Sequence, residues 1–239
     1  MKKLFALVAF CVVSVIAFAQ REVGTFSLQP RIGMNVGTLS GLASNVIRDN
    51  RGNTYRGETT YSIGIAAGVE AEYQFSTKFS VAAGLLYSMQ GTKYDDIATS
   101  GATHHLGMKD WKIQLGYLNV PVIANLYLAK GCALKAGVQL GFLVNDRVKV
   151  IAYEPDEFEE KFDESYNDFY KSEIEAGRMS NISKFDLSIP LGISYEFDNH
   201  LVIDARYNLG LTKVTDEKYA NKKSKNQVIQ VTVGYKFEL

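Results

Sequence analysis

Eight stretches of this chain alternate apolar and polar residues with a period of two, and no other feature constrains its fold as tightly. Successive side chains of a strand point to opposite faces, so each stretch reads as a strand with one apolar face. In the first, Phe26, Leu28, Pro30, Ile32, Met34 and Val36 oppose Ser27, Gln29, Arg31, Gly33 and Asn35. The second sets Ile63, Ile65, Ala67, Val69, Ala71, Tyr73 and Phe75 against Gly64, Gly68, Glu70, Glu72 and Gln74. The third sets Phe79, Val81, Ala83, Leu85, Tyr87 and Met89 against Ser80, Gly84, Ser88 and Gln90. Four later stretches, around residues 134–144, 185–197, 201–211 and 229–237, keep the same rule. The fourth stretch, residues 111–128, changes phase. Trp111, Ile113 and Leu115 share a face, and afterwards Leu118, Val120, Val122, Ala124 and Leu126 do. That slip predicts a β-bulge near Gly116 and Tyr117 that restores the apolar side. Pro121 makes this the weakest strand, since proline removes a ladder donor.

The N-terminal residues read as a signal peptide. Lys2 and Lys3 precede an apolar run, and Ala17-Phe18-Ala19 has the small-x-small form of a cleavage site. Residues 1–19 are therefore expected to be removed after Ala19 on export through the Sec pathway, leaving 20–239 as one domain. The apolar run, about 15 residues long, is short of the roughly 20 that a spanning helix needs. Cys11 lies inside it, which leaves Cys132 alone in the mature chain and rules out an intrachain disulfide. Lys+Arg and Asp+Glu both number 26. That balance argues against a nucleic-acid partner, which demands a basic excess. No later stretch is apolar enough for a helical span. In lipid, only helices and closed barrels satisfy every backbone group.

Four features orient the apolar face outward, toward lipid. Glycine recurs on the polar face, where a crowded eight-stranded lumen needs small residues. Aromatics such as Tyr73, Phe75, Phe79, Tyr195, Phe197, Tyr235 and Phe237 gather at strand ends, as in an interfacial girdle. The segments are long enough to cross as tilted strands. Tight turns alternate with long connections, the arrangement of short periplasmic turns and longer outer loops. The expected fold is all-β: an eight-stranded antiparallel up-and-down transmembrane β-barrel, with both termini in the periplasm and outer-membrane lipid as first partner.

The polar face carries Arg31, Lys135, Arg206 and Lys236, and with them Glu70, Glu72, Glu196 and Asp204. Buried charges are costly unless paired, so these eight are expected to form a structural charge network. The alternative is a gated ion path or a proton-linked site. Enzymes built on such barrels hold a nucleophile and a histidine near the outer leaflet. Of the three histidines, His200 falls in a periplasmic turn, and His104 and His105 fall mid-loop with no strand to aim them. With Asp95 or Asp96 the pair could hold a metal, but adjacent rings point in different directions. No catalytic residue, cofactor or metal site is assigned.

The connection after the fifth strand is rich in acids. Between Pro155 and Ala176, the residues Phe158, Phe162, Tyr166, Phe169, Tyr170 and Ile174 recur at helical spacing. One amphipathic helix is expected there, in an extracellular loop. It would act as a lid over the barrel mouth or as a surface facing an envelope protein or anionic lipopolysaccharide.

Several strings resemble the PorT-type outer-membrane β-barrel proteins of the Bacteroidetes. They are Gly33-Met34-Asn35-Val36-Gly37, Gly84-Leu85-Leu86-Tyr87, Tyr117-Leu118-Asn119-Val120-Pro121-Val122 and Arg206-Tyr207-Asn208-Leu209-Gly210-Leu211-Thr212. The resemblance implies an outer-membrane barrel, keeps the fourth strand despite Pro121, and carries over no catalytic residue. It also implies a place in a secretion or envelope assembly. The leading expectation is a non-enzymatic barrel that anchors or presents its loops. An outer-leaflet enzyme acting on lipid A and a small gated channel remain the alternatives.

Overall fold

The computed structural model describes residues 22–41, 45–48, 54–57, 59–95, 97–99, 106–153, 172–175, 182–215 and 224–239. The expected signal peptide, His104, His105, and the aromatic residues Phe158, Phe162, Tyr166, Phe169 and Tyr170 lie outside the described residues.

The eight alternating stretches form eight long strands: β1 (Phe26–Ser40), β2 (Thr59–Ser76), β3 (Phe79–Tyr94), β4 (Leu106–Ala129), β5 (Cys132–Tyr153), β6 (Phe185–Glu196), β7 (Leu201–Gly210) and β8 (Lys225–Tyr235). Each pairs antiparallel with its neighbours in sequence. β1 then pairs β8, from Arg31 opposite Gly234 to Ser40 opposite Lys225, and closes the barrel. Closure leaves the membrane-spanning ladder without an edge, as lipid requires. The short strand Phe237–Glu238 continues the seam against Ser27 and Leu28.

Tight turns join β2 to β3, β4 to β5 and β6 to β7 at one end of the barrel, here the turn end. The longer connections leave from the other, the loop end. Pro30, Pro121 and Pro190 all lie inside strands, and beside each one a ladder is interrupted. For Pro121 the break falls between the pairs Ala83–Val122 and Leu86–Asn119. Strand pairing on the other side, where Pro121 opposes Gln139, carries β4 through.

The apolar face points out. Ile63 is 72% exposed and Ile32 68%, whereas Arg31 is 4% and Asp204 1%. This is the inverse of a soluble barrel and suits an aliphatic surround. Lumen glycines answer to backbone as well as to crowding. A Cβ on Gly33 would lie 2.0 Å from the Val231 carbonyl oxygen on the adjacent strand, and one on Gly84 would lie 2.5 Å from Glu70 Cγ. At these points the tightly curved sheet leaves no room for any side chain.

Two expectations are corrected. The phase slip in the fourth stretch is not a bulge that turns β4 over. Trp111, Ile113, Leu115 and Tyr117 lie on the same inward face as Asn119, Ile123, Asn125 and Tyr127. The irregularity does fall at Gly116 and Tyr117, which pair with Asn145 and Leu143, but the extra residue is Val144 on β5. What changes along β4 is the chemistry of the lumen, not the direction of the strand. The second correction concerns the expected helix. Its C-terminal part, Ser172–Glu175, is a strand on the edge of β5, with Glu175 opposite Lys149 and Ser172 opposite Ala152. β5 runs to Tyr153, past Phe142, the last residue that pairs with β6, and there offers an open edge. The backbone ladder outweighs the helical spacing in these four residues.

Candidate functional site: the barrel lumen

All eight lumen charges come from the polar faces of strands or their ends, and the barrel brings them into two adjacent clusters. In the first, the Arg206 guanidinium donates to both carboxylate oxygens of Glu70, at 2.6 and 2.8 Å, from β7 across the lumen to β2. This two-bond fork is the strongest geometry open to an arginine and a carboxylate. Arg206 Nε also lies 2.7 Å from Asp204 Oδ1. Lys135 donates to Asp204 Oδ2. Arg31 Nη1 sits 3.2 Å from Glu70 Oε2 and 3.6 Å from Asp204 Oδ2. Three cations thus surround two carboxylates.

The second cluster lies nearer the turn end. Lys236 donates to Glu72 Oε2 at 2.8 Å and lies 3.1 Å from Glu196 Oε2. The other Glu72 oxygen accepts from Ser80 at 2.7 Å and from the Tyr127 hydroxyl. Asn125 donates onward to Ser80 at 3.0 Å. Here two carboxylates meet one cation. The formal charge is +1 in the first cluster and −1 in the second, so together they are neutral. Tyr127, Ser80 and Asn125 were not singled out from the sequence. The signal was present: Asn125 and Tyr127 share the face of Asn119 on β4.

Toward the loop end, polar side chains such as Asn35, Ser88, Gln139 and Ser188 line the lumen. Asn35 donates to Ser88 Oγ at 2.8 Å, and Gln139 donates to Ser188 Oγ at 3.2 Å. Above them the lumen turns apolar. Leu39, Tyr94, Ile113, Leu115, Tyr117 and Val214 form one buried cluster, with Trp111, Leu143, Val148 and Ile182 packed against it. The Tyr94 and Trp111 rings stack 4.7 Å apart. The bulge at Val144 is what aims Val148 inward. Beyond it, Asn145 and Arg147 are exposed on the outer wall. β5 therefore inverts its polarity along its length: polar inside and apolar outside in its lower part, with Val148 inside and Asn145 and Arg147 outside beyond the bulge.

His200, in the turn between β6 and β7, is half-exposed and lies far down the barrel from this apolar cluster. No group of described residues in the lumen combines a nucleophile with a histidine. The aromatic residues Tyr73, Phe75, Phe79, Tyr195, Phe197, Tyr235 and Phe237 stand on the outer wall at the turn end. Neighbouring rings touch there, for example Tyr195 and Phe197 at 4.9 Å and Tyr235 and Phe237 at 4.8 Å.

Several solved barrels are similar in shape. Ail, the attachment invasion locus protein of Yersinia pestis, shares 14% identity over 90% of this chain and 100% of its own, with a TM-score of 0.41. OprG from Pseudomonas aeruginosa shares 12% over 92% and 99%, with a TM-score of 0.43. Neisserial surface protein A shares 13% over 89% and 97%, with a TM-score of 0.43. At these values the likeness adds nothing to what the strand pairing shows directly. No curated protein matches the sequence. A family match is decisive, however. Residues 18–216, most of the chain and seven of the eight strands, match the family described as outer membrane protein beta-barrel domain. With the closed eight-stranded sheet and its outward apolar wall, this chain belongs to the outer membrane protein β-barrel family.

Proposed function

We propose that the protein is a non-enzymatic anchor with a sealed lumen, which presents its loop-end segments to an envelope assembly. The observation that carries this reading is the lumen filling: two ion-paired clusters and an apolar plug stand in series between the two ends. In this reading the eight charges are structural. They neutralise one another across the lumen and tie β1, β2, β5, β6, β7 and the end of β8 together. An eight-stranded barrel is just wide enough to be filled by its side chains, which leaves no continuous water path. The aromatic ring at the turn end serves as the periplasmic girdle. Residues 1–19 direct export through the Sec pathway and are removed after Ala19. The acidic segment holding Phe158, Phe162, Tyr166, Phe169 and Tyr170 is the partner-facing surface. The resemblance to PorT-type barrels supports a secretion or envelope assembly over an isolated anchor.

Two measurements test this. Planar-bilayer recording of the purified protein is expected to show no discrete conductance; unitary steps would overturn the sealed lumen. Crosslinking in intact envelopes is expected to capture protein partners, and removal of residues 155–176 is expected to abolish that capture. Undiminished capture would remove the acidic segment from the reading. For the enzyme alternative, alanine at His104 and His105 is expected to leave lipid A acylation unchanged.

A further inference from the structure

We propose that the turn-end rim of the barrel binds one divalent first-row transition cation, held by Glu196, His200 and Glu238. Their ligand atoms all lie within 4.8 Å of one another. One imidazole nitrogen and two carboxylate oxygens form a donor set suited to zinc and its neighbours, with a further position left to water.

The three residues come from different segments, and backbone bonds set their positions. Glu196 ends β6, and its N–H donates to the Gly131 carbonyl at 2.8 Å. His200 stands in the following turn with φ 64°, the one non-glycine residue of positive φ among those described. Its N–H donates to the Phe197 carbonyl at 2.9 Å, and its carbonyl accepts from the Lys236 N–H at 2.9 Å. Glu238 lies in the short strand that pairs with Ser27 of β1.

Glu196 has two sides. Oε2 faces the lumen, 3.1 Å from Lys236 Nζ, and Oε1 faces His200 Nδ1 at 3.9 Å. The first contact orients the carboxylate, as outer partners orient the ligands of metal sites. The second is too long for a hydrogen bond. It is close to the separation of about 3.3 Å that neighbouring ligands take around a tetrahedral zinc with bonds near 2.0–2.1 Å. A cation drawn between them closes the difference with side-chain motion alone. Two carboxylates offset its charge, and both the histidine and Glu238 are open to solvent. Once filled, the site would staple the β6–β7 turn to the β1–β8 closing seam.

The test uses the untagged full chain, purified from membranes in detergent and stripped with chelator. His104→Ala and His105→Ala are introduced first, so that zinc bound in the loop cannot contribute. Calorimetric titration with zinc chloride is expected to give one site per chain. His200→Gly, which suits the positive φ, and Glu238→Ala, at an exposed position, are each expected to weaken binding at least about tenfold, since even outer partners of a metal site are worth that much. Zinc is expected to raise the unfolding temperature of the parent and not of either variant. Failure of the parent to bind zinc overturns the proposal, as does unchanged affinity in either variant. Heat-modifiable gel mobility confirms that each variant is a folded barrel before it is titrated.

Discussion

Toward the turn end the lumen is filled by eight charged side chains; toward the loop end the same eight-stranded wall encloses Leu39, Tyr94, Ile113, Leu115, Tyr117 and Val214. The outer surface changes in the opposite sense. Ile32, Val69 and Ile193 are exposed on the lower wall, whereas Asn145 and Arg147 are exposed beyond the bulge. The polarity of a barrel interior is thus not a constant of the fold. Lipid demands an apolar outer wall, so the strand's period of two delivers polar residues to the lumen, and these must pair with one another. Where the strands rise above lipid, water replaces it. The usual rule of a soluble protein returns, and the interior closes as a hydrophobic core.

Substitutions that strike one half and spare the other would break or sharpen this contrast. The largest effect is expected from Glu70→Ala, which strips Arg206 of its two-bond partner and Arg31 of its nearest carboxylate. Removing one member of a buried ion pair costs about 3–5 kcal/mol, read as a lowered midpoint of urea unfolding in detergent micelles. Leu115→Ala, in the fully buried plug, is expected to cost about 2–5 kcal/mol, the range for deleting a packed core leucine. An unchanged midpoint would mean that the loop end is not a core. A smaller, local effect is expected on deleting Val144. That removes the extra residue opposite Gly116–Tyr117 and lets the β4–β5 ladder run on without a bulge, with Asn145 and Arg147 still outward and Val148 still inward. Hydrogen exchange should change only at the loop end of β4 and β5 and stay unchanged around Glu70 and Arg206.

The smallest effect is expected at the turn end outside the lumen. Lys130 and Asp198 lie 2.6 Å apart, both largely exposed. The hydrogen bond from Lys130 to Asp198 and their opposite charges raise the lysine pKa above its ordinary value. Exposed pairs contribute little to stability, and Lys130→Ala should leave the unfolding midpoint where it was.

The strands themselves were legible because period-two alternation is a local property of backbone geometry. Arg31, Glu70, Lys135 and Asp204 could be placed in the lumen from parity alone, together with the outward orientation of their neighbours. Fourth-strand parity failed for an instructive reason. Ile113 and Leu115 are apolar and face inward, which contradicts a single inside–outside rule applied along the whole strand. Reading that contradiction as a bulge kept the rule and lost the plug. Residues 172–175 show a related limit, since their helical spacing competes with an edge that β5 offers only once folded.

By itself, the sequence determined that the spanning elements are strands, that they number eight, which residues share a face, and that apolar side chains meet lipid. Each of these follows from periodicity, turn spacing and the need to satisfy backbone groups in a bilayer. Tertiary structure alone decided which carboxylate meets which cation, where the lumen changes from charged to apolar, and that Glu196, His200 and Glu238 converge on one rim. Those partners are many residues apart, and only the shear and closure of the barrel set the heights at which their side chains meet.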